Sequence, residues 1–163
     1  MPNWCDNRVS VEANTKAKMN EFRNFVKSKV DGEAFAFDSI LPMPEELNGT
    51  ASPATILTQE EYDSYVPAHE YEGKPITQLM SDSFMQKYGT DNWYDWANKN
   101  WGCKWEVSNV EVSGEDETAT YDFQTAWCPP EGVYSALVKR FPDLHISWFY
   151  DEPNMQFAGY LPD

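Results

Sequence analysis

Residues 118–127 read TATYDFQTAW, and this stretch indicates the fold more clearly than any other part of the chain. Apolar and polar residues alternate along it, with Ala119, Tyr121, Phe123, Thr125 and Trp127 on one side and Thr118, Thr120, Asp122 and Gln124 on the other. Such alternation predicts a β-strand with one buried and one solvated face. We therefore expect the polar set to form an open sheet face, together with Ser10 and Glu12 of an earlier strand.

The segment before this strand pairs with it in the predicted structure. Residues 105–112 also alternate, but the parity of the apolar positions changes near Ser108 and Asn109. A change of parity within one strand is typical of a β-bulge. Because Gly114 lies between the two runs, they predict a β-hairpin.

The segments that follow complete a β-rich last third of the chain. Pro129 and Pro130 precede an amphipathic stretch, which predicts a helix over residues 130–141. Residues 145–150 and 157–161 are predicted as two further strands.

The first forty residues show the pattern β-α-β. Residues 5–13 alternate as a strand, and Met19, Phe22 and Val26 then recur at the spacing of a helix. Residues 35–40 are rich in Phe and other apolar residues and are predicted as a second strand.

The order β-α-β, insertion, β-β-α-β-β is the split β-α-β arrangement. We predict an α+β fold in which a ferredoxin-like antiparallel sheet carries two helices, near residues 15–30 and 130–141, on one face. Residues from about 42 to 101 form an acidic, partly helical insertion, with helices expected near residues 60–65, 76–88 and 93–101. The whole chain, residues 1–163, is predicted to be a single domain.

The charge of the chain argues against nucleic-acid binding. Its formal net charge is -15, and the aromatic RNP1 pattern of RNA-binding sheets is absent. Residues 30–73 contain ten Asp or Glu and no Lys or Arg. One interpretation is a solvated acidic surface, and the other is a patch that binds a basic partner through Glu45, Glu46, Glu60, Glu61, Asp63, Glu70 and Glu72.

The cysteine and histidine pattern favours no metal site and no cofactor. Cys5, Cys103 and Cys128 are odd in number and widely spaced, which predicts three free thiols. Cys5 with His69 or His145 lacks a third, orienting group, so no catalytic residue is predicted and an enzyme is the less favoured class. No signal peptide and no run of membrane-spanning length is visible, so we expect a cytoplasmic protein without a membrane partner.

Tryptophan and asparagine residues gather at predicted strand ends and loops. The set comprises Asn3, Trp4, Asn7, Asn100, Trp101, Lys104, Trp105 and Trp127, with Cys5 and Gly102 among them. Such residues stack on and hydrogen-bond a planar ligand or a peptide. In the alternative interpretation, the rings close the end of the sheet and the amides satisfy loop backbone groups.

Five short motifs occur in order along most of the chain. They are MPNWC with Asn7 at the start, ILPMPEEL at residues 40–47, NWGCKW at 100–105, FQTAWCPP at 123–130 and FAGY at 157–160. In these motifs the chain resembles the YubB-like proteins of bacteriophages, plasmids and prophages. The resemblance implies a ferredoxin-like C-terminal domain and a mobile-element origin, but it implies no activity. Cys103 stands where the family pattern leads us to expect Thr, which argues against a required role for this thiol.

The leading functional hypothesis is a non-enzymatic accessory protein of a mobile element. Its acidic surface would bind a basic host protein and inhibit host defence or nucleic-acid handling, in part by resembling the charge of nucleic acid. The alternative is a small-ligand binder that uses the Trp/Asn-rich end of the sheet for a planar or nucleotide-like molecule.

Overall fold

A computed structural model describes residues 2–162 of the chain, which divide into two compact units. The sheet unit comprises residues 2–42 and 100–162, and the insert unit comprises residues 43–99. In chain order, the elements are β1 (Trp4–Glu12), α1 (Lys16–Val26), α2 (Phe37–Ile40), β2 (Ile56–Leu57), α3 (Gln59–Asp63), β3 (Ile76–Thr77), α4 (Gln78–Tyr88), α5 (Trp93–Asn100), β4 (Ser108–Ser113), β5 (Thr118–Ala126), α6 (Glu131–Arg140), β6 (His145–Glu152) and β7 (Phe157–Leu161).

The sheet unit contains a five-stranded antiparallel sheet with the strand order β4-β5-β1-β6-β7. The hairpin of β4 and β5 is confirmed, and its register shifts between Ser108 and Glu111. Asn109 lies in this bulge with a φ of 55°. The sheet confirms the predicted ferredoxin-like α+β fold, and β7 extends one edge.

Both longer helices of the sheet unit pack on the same face, as predicted. The ring of Phe22 in α1 lies 6.1 Å from that of Tyr121, and Tyr134 in α6 lies 6.1 Å from Trp148. Tyr121 and Trp148 are both paired with Val9 of β1, so their side chains share one face of the sheet. We call this the covered face.

Phe35 is the centre of the aromatic core beneath the covered face. Its ring centroid lies 5.1 Å from Tyr121, 5.0 Å from Phe123 and 6.1 Å from Trp148. All four side chains are at most 3% exposed. Edge-to-face and stacked contacts of this kind stabilise the core beyond the apolar area that they bury.

The predicted second strand at residues 35–40 is wrong. The segment forms the short helix α2, and Phe35, Ala36 and Phe37 are buried in succession rather than in alternation. The carboxylate of Glu106 accepts hydrogen bonds from the backbone N–H groups of Phe37, at 2.6 Å, and Asp38, at 2.9 Å, so these groups do not join a β-ladder. The strand that returns after α1 is β4, which follows the insert unit and begins at Ser108 rather than at residue 105.

The insert unit contains three helices and a pair of two-residue parallel strands, β2 and β3. The predicted helices near 60–65, 76–88 and 93–101 are confirmed as α3, α4 and α5. Thr58 and Glu61 form a reciprocal capping box at the start of α3, and Gly89 ends α4 with a φ of 71°. The bounds of this unit are close to those of the predicted insertion, and a single domain for the whole chain stays a prediction. None of the helices formed by residues 2–162 has the length and apolar character needed to cross a bilayer.

Candidate functional site

The face of the sheet opposite α1 and α6 is open to solvent, because successive side chains of each strand point to opposite sides. On β1, the buried residues Cys5, Asn7, Val9 and Val11 alternate with the outward residues. The strand registers define the open face as Asp6, Arg8, Ser10 and Glu12 of β1, Thr118, Thr120, Asp122 and Gln124 of β5, His145, Ser147, Phe149 and Asp151 of β6, Ser108, Glu111 and Ser113 of β4, and Ala158 and Tyr160 of β7. The predicted polar face of β1 and β5 is thus confirmed.

One row of the open face contains a charge pair. The guanidinium of Arg8 donates two hydrogen bonds to Asp122, at 2.7 Å from Nε and 3.3 Å from the terminal nitrogen. The hydrogen bond that Arg8 donates to Asp122 raises the pKa of Arg8 above its ordinary value. Phe149 lies opposite Arg8 on the other neighbouring strand, so the row runs Asp122, Arg8, Phe149, with the guanidinium bonded to Asp122.

The next row of the open face contains carboxylates and no cation. Asp6 lies opposite Asp151 of β6 and opposite Gln124 of β5, whose Nε2 donates to Asp6 Oδ1 at 2.8 Å. A second like-charge pair, Glu111 and Asp122, lies across β4 and β5. Like charges at directly opposed positions destabilise a sheet. Arg8 offsets this repulsion at Asp122, whereas no salt bridge within residues 2–162 offsets it at Asp6 and Asp151.

Two exposed aromatic side chains adjoin the carboxylates. Phe149 and Tyr160 are opposed on β6 and β7, with ring centroids 5.2 Å apart and planes inclined by 58°. Their exposed fractions are 36% and 62%. Sequence analysis missed this pair, although the alternation of residues 145–151 already assigns Phe149 and Asp151 to the same side of a strand.

The open face has a shallow, polar depression of about 440 Å³. It is lined on the outward side by Asp6, Arg8, Asn109, Glu111, Asp122 and Gln124. Small-molecule sites are usually enclosed and mostly apolar, whereas this depression is shallow and polar. Its shape suits a protein segment laid across the strands.

At the predicted Trp/Asn-rich end of the sheet, Asn7 is used within the fold. It is 2% exposed, and its Nδ2 donates to the carbonyl of Cys5 at 3.0 Å and to Thr125 Oγ1 at 2.9 Å. Its Oδ1 accepts from Trp148 Nε1 at 3.0 Å. These three bonds satisfy buried polar groups, which is a structural role.

Trp101 and Asn100 also support the fold. Trp101 is 5% exposed, and its Nε1 donates to the carbonyl of Leu41 at 2.7 Å. The carbonyl of Asn100 lies so close to Gly132 that a Cβ there would be 1.7 Å away. The first turn of α6 therefore packs directly on the backbone of residues 100–101.

The other members of this set lie nearer the surface. Trp127 is 45% exposed, and its backbone N–H donates to the carbonyl of Asn3 at 2.9 Å, which brings these two residues together. Trp105 is 38% exposed, and Lys104 Nζ lies 4.2 Å from its ring centroid in a cation–π contact. Trp4 is half-buried at the start of β1.

The three cysteines are free thiols with weak nucleophilic character. Burial raises the pKa of Cys5 to about 12 and raises the pKa of Cys103 and Cys128 above the ordinary value. A thiol of this kind stays protonated at neutral pH and reacts slowly. Within residues 2–162, no three Cys, His, Asp or Glu side chains form a group that would hold a metal ion.

Most of the predicted partner-binding acids of the insert unit bond within that unit. Glu46 accepts from Lys87 and Tyr88, Glu61 caps α3, Asp63 accepts from Gln59 and Glu72 accepts from the backbone of Ala68. Within the described part of the chain, the carboxylates of Glu45, Glu60 and Glu70 accept no hydrogen bond. The acids of this unit therefore differ in their availability to a partner.

Comparison with known proteins supports the fold. Residues 100–162 match the family model described as the ferredoxin-like domain in Api92-like protein. The match covers well under half of the chain. A crystal structure of protein Api92 from Yersinia pseudotuberculosis aligns with a TM-score of 0.54 over 98% of this chain and 93% of that chain. Because the sequence identity is 14%, this likeness shows the fold alone. No curated protein matches the chain significantly.

Proposed function

We propose that the chain is a non-enzymatic accessory protein of a bacteriophage, plasmid or prophage, and that it binds a basic protein of its bacterial host in the cytoplasm. The resemblance of its five motifs to the YubB-like proteins supports the mobile-element origin. The open face is the binding surface in this proposal, and the available acids of the insert unit add to the electrostatic field.

The charge arrangement on the open face is the observation that carries the proposal. This face presents five carboxylates and one guanidinium, and Asp6 and Asp151 lie opposite each other without a salt bridge to any side chain of residues 2–162. Their repulsion lowers the stability of the folded sheet. A basic partner would neutralise both carboxylates, so the same arrangement increases affinity and the rate of association.

The shape and the charge of the open face support the proposed class of partner. Several strands present carboxylates side by side on a broad, shallow face. Proteins that handle nucleic acid carry a basic face for a negatively charged ligand. We therefore propose that the open face competes with nucleic acid for such a surface on a host defence or nucleic-acid-handling protein.

A small-ligand site at the Trp/Asn-rich end is the second candidate, and one observation favours it. Trp127 adopts a φ of 74° while its ring is 45% exposed. Positive φ values are costly for bulky residues and cluster at functional sites. A thermal-shift screen of planar heteroaromatic compounds on the parent and on Trp127→Asn tests this candidate. A compound that raises the melting temperature of the parent but not of the variant would support this candidate. Failure to find such a compound would count against it.

Affinity capture with matched charge variants tests the leading proposal. The face variant carries Asp6→Asn, Glu111→Gln and Asp151→Asn, and the insert variant carries Glu45→Gln, Glu60→Gln and Glu70→Gln. Both variants lose three negative charges, so a difference between them reports position rather than total charge.

We expect the tagged parent to capture a basic protein from host lysate, with recovery that falls as salt is added. The insert variant should retain most of that recovery, and the face variant should lose it. Equal recovery by the parent and the folded face variant would contradict the proposal, as would capture of no basic protein by the parent.

A further inference from the structure

We infer that the open face contains a docking site for an arginine side chain of the basic partner, formed by the Phe149–Tyr160 pair and the neighbouring Asp6–Asp151 pair. This inference deepens the proposed function and rests on it. It specifies which basic side chain the surface recognises and where that side chain binds.

The aromatic pair supplies the stacking half of the site. Phe149 and Tyr160 are exposed by 36% and 62% on a face whose other members, apart from Ala158 and His145, are hydroxyl, amide or charged residues. An exposed ring face attracts a cation through its quadrupole. A guanidinium is planar and weakly hydrated, so it stacks on a ring more readily than the strongly hydrated ammonium of lysine.

The carboxylate pair supplies the hydrogen-bonding half of the site. Asp151 follows Phe149 by two residues and therefore lies on the same side of β6, opposite Asp6. No group within residues 2–162 donates a hydrogen bond to the Asp151 side chain. A carboxylate accepts two parallel N–H bonds from a guanidinium, which gives strength and geometric specificity.

The adjacent row of the sheet shows the hydrogen-bonding half of this recognition within the protein. The guanidinium of Arg8 forms two hydrogen bonds with Asp122 and lies in the row of Phe149. In the row of Asp6 and Asp151, the central residue is an acid, and neither acid forms a salt bridge with a side chain of residues 2–162. In the first row, Arg8 neutralises the carboxylate of Asp122. In the second row, the arginine of the basic partner would supply the cation for Asp6 and Asp151.

The charge of the site selects against the other ligand that stacks on sheet aromatics. Single-stranded nucleic acid combines base stacking with attraction of its phosphates to a positively charged groove. Here Asp151 lies on the same side of β6 as Phe149 and opposite Asp6, and the chain carries a net charge of -15. Arg8, which lies opposite Phe149, is already ion-paired with Asp122. Repulsion of the phosphates opposes stacking of the bases.

The test uses the full chain labelled with ¹⁵N and three probes: an arginine-containing synthetic peptide, the same peptide with lysine at each arginine, and an oligothymidylate. Amide chemical shifts locate each probe, and their titration gives its dissociation constant. We expect the arginine peptide to shift the amides of Phe149, Asp151 and Tyr160 and to bind about three to ten times more tightly than the lysine peptide.

Three variants isolate the contribution of the ring. Tyr160→Thr should remove the preference for arginine, because the exposed ring is lost from an edge strand that tolerates threonine. Tyr160→Phe should keep the preference, because the ring remains. Tyr71→Ala removes an 86% exposed tyrosine from the insert unit and should change neither affinity.

Equal binding of the two peptides, a preference unchanged in Tyr160→Thr, or tighter binding of the oligothymidylate would each overturn the inference. None of these outcomes removes the proposed function, which predicts charge-driven capture of a basic protein whichever basic side chain it carries. That function fails separately if the parent captures no basic protein.

Discussion

The two faces of the five-stranded sheet hold their polar groups in opposite ways. On the covered face, Asn7 makes three hydrogen bonds that include the indole of Trp148 and the hydroxyl of Thr125. On the open face, Asp6 and Asp151 are opposed, and among the described residues no cation forms a salt bridge with either of them. A buried polar residue whose hydrogen bonds are satisfied within the protein has a structural role. Two like charges that oppose each other do not stabilise the sheet, so their presence calls for a reason other than stability.

The largest expected effect lies on the covered side. Phe35→Ala should lower the free energy of unfolding by about 3–5 kcal/mol, because the ring is fully buried against Tyr121, Phe123 and Trp148. Urea denaturation followed by circular dichroism measures the loss. Val30→Ala is the control, since Val30 is 93% exposed and should change stability by less than about 0.5 kcal/mol. Similar losses in the two variants would contradict the assigned core.

The second effect concerns the buried amide. Asn7→Ala should cost about 2–3 kcal/mol, because Trp148 Nε1 loses its acceptor in a buried environment and Thr125 Oγ1 keeps only its bond to the Cys128 carbonyl. Ser10→Ala, on the open side of the same strand, should be close to neutral. The same denaturation measurement compares the two variants. If both cost the same, the distinction between the faces fails.

The third effect is the pH dependence that Glu106 confers. Burial raises the pKa of Glu106 above its ordinary value of 4.5, although three backbone N–H groups donate to its carboxylate. The folded state therefore holds the proton at a pH where the unfolded state has released it. This contribution to stability is fully present below pH 4.5 and is lost as the pH rises through the folded pKa.

Measurement of the free energy of unfolding from pH 4 upward in the parent and in Glu106→Gln isolates this contribution, with pH steps of about half a unit. The parent should lose stability relative to the variant as the pH rises through that window. Parallel profiles would show that Glu106 titrates normally in the folded protein.

The smallest expected effect has the opposite sign. Asp151→Asn should raise the free energy of unfolding by about 0.5 kcal/mol, because it removes the repulsion from Asp6. Glu60→Gln is the control, since it removes the same charge from a helix of the insert unit. We expect no comparable gain there. A loss of stability in Asp151→Asn would mean that this carboxylate supports the fold.

The sequence alone predicts the alternating strands, the hairpin and the two helices on one face, because these depend on local periodicity. Local periodicity could not show whether residues 35–40 form a strand or a helix, because a short apolar run is compatible with a buried strand and with a buried helical turn. The carboxylate that caps α2 belongs to Glu106, which is 69 residues from Phe37. Contacts at that separation leave no local pattern.

The candidate site also depends on contacts between distant residues, which local sequence patterns do not reveal. Charge counting directed attention to the acids of residues 30–73, yet Glu46 and Glu61 bond within their own unit. The opposed pair of Asp6 and Asp151 becomes visible only when β1 is paired with β6. The strand parity of Asp151 was readable from the sequence, but the identity of its neighbour was not.

The most direct test of the central claim is zero-length carbodiimide cross-linking of the parent to the captured basic partner, followed by mass spectrometry. This reaction joins a carboxylate to a lysine amine in direct contact. Because an arginine of the partner occupies the Asp6–Asp151 pair, the open face as binding surface predicts cross-links to neighbouring lysines from Glu111 and Glu12 that disappear at high salt. Cross-links confined to Glu45, Glu60 and Glu70 would contradict the claim and place the partner on the insert unit.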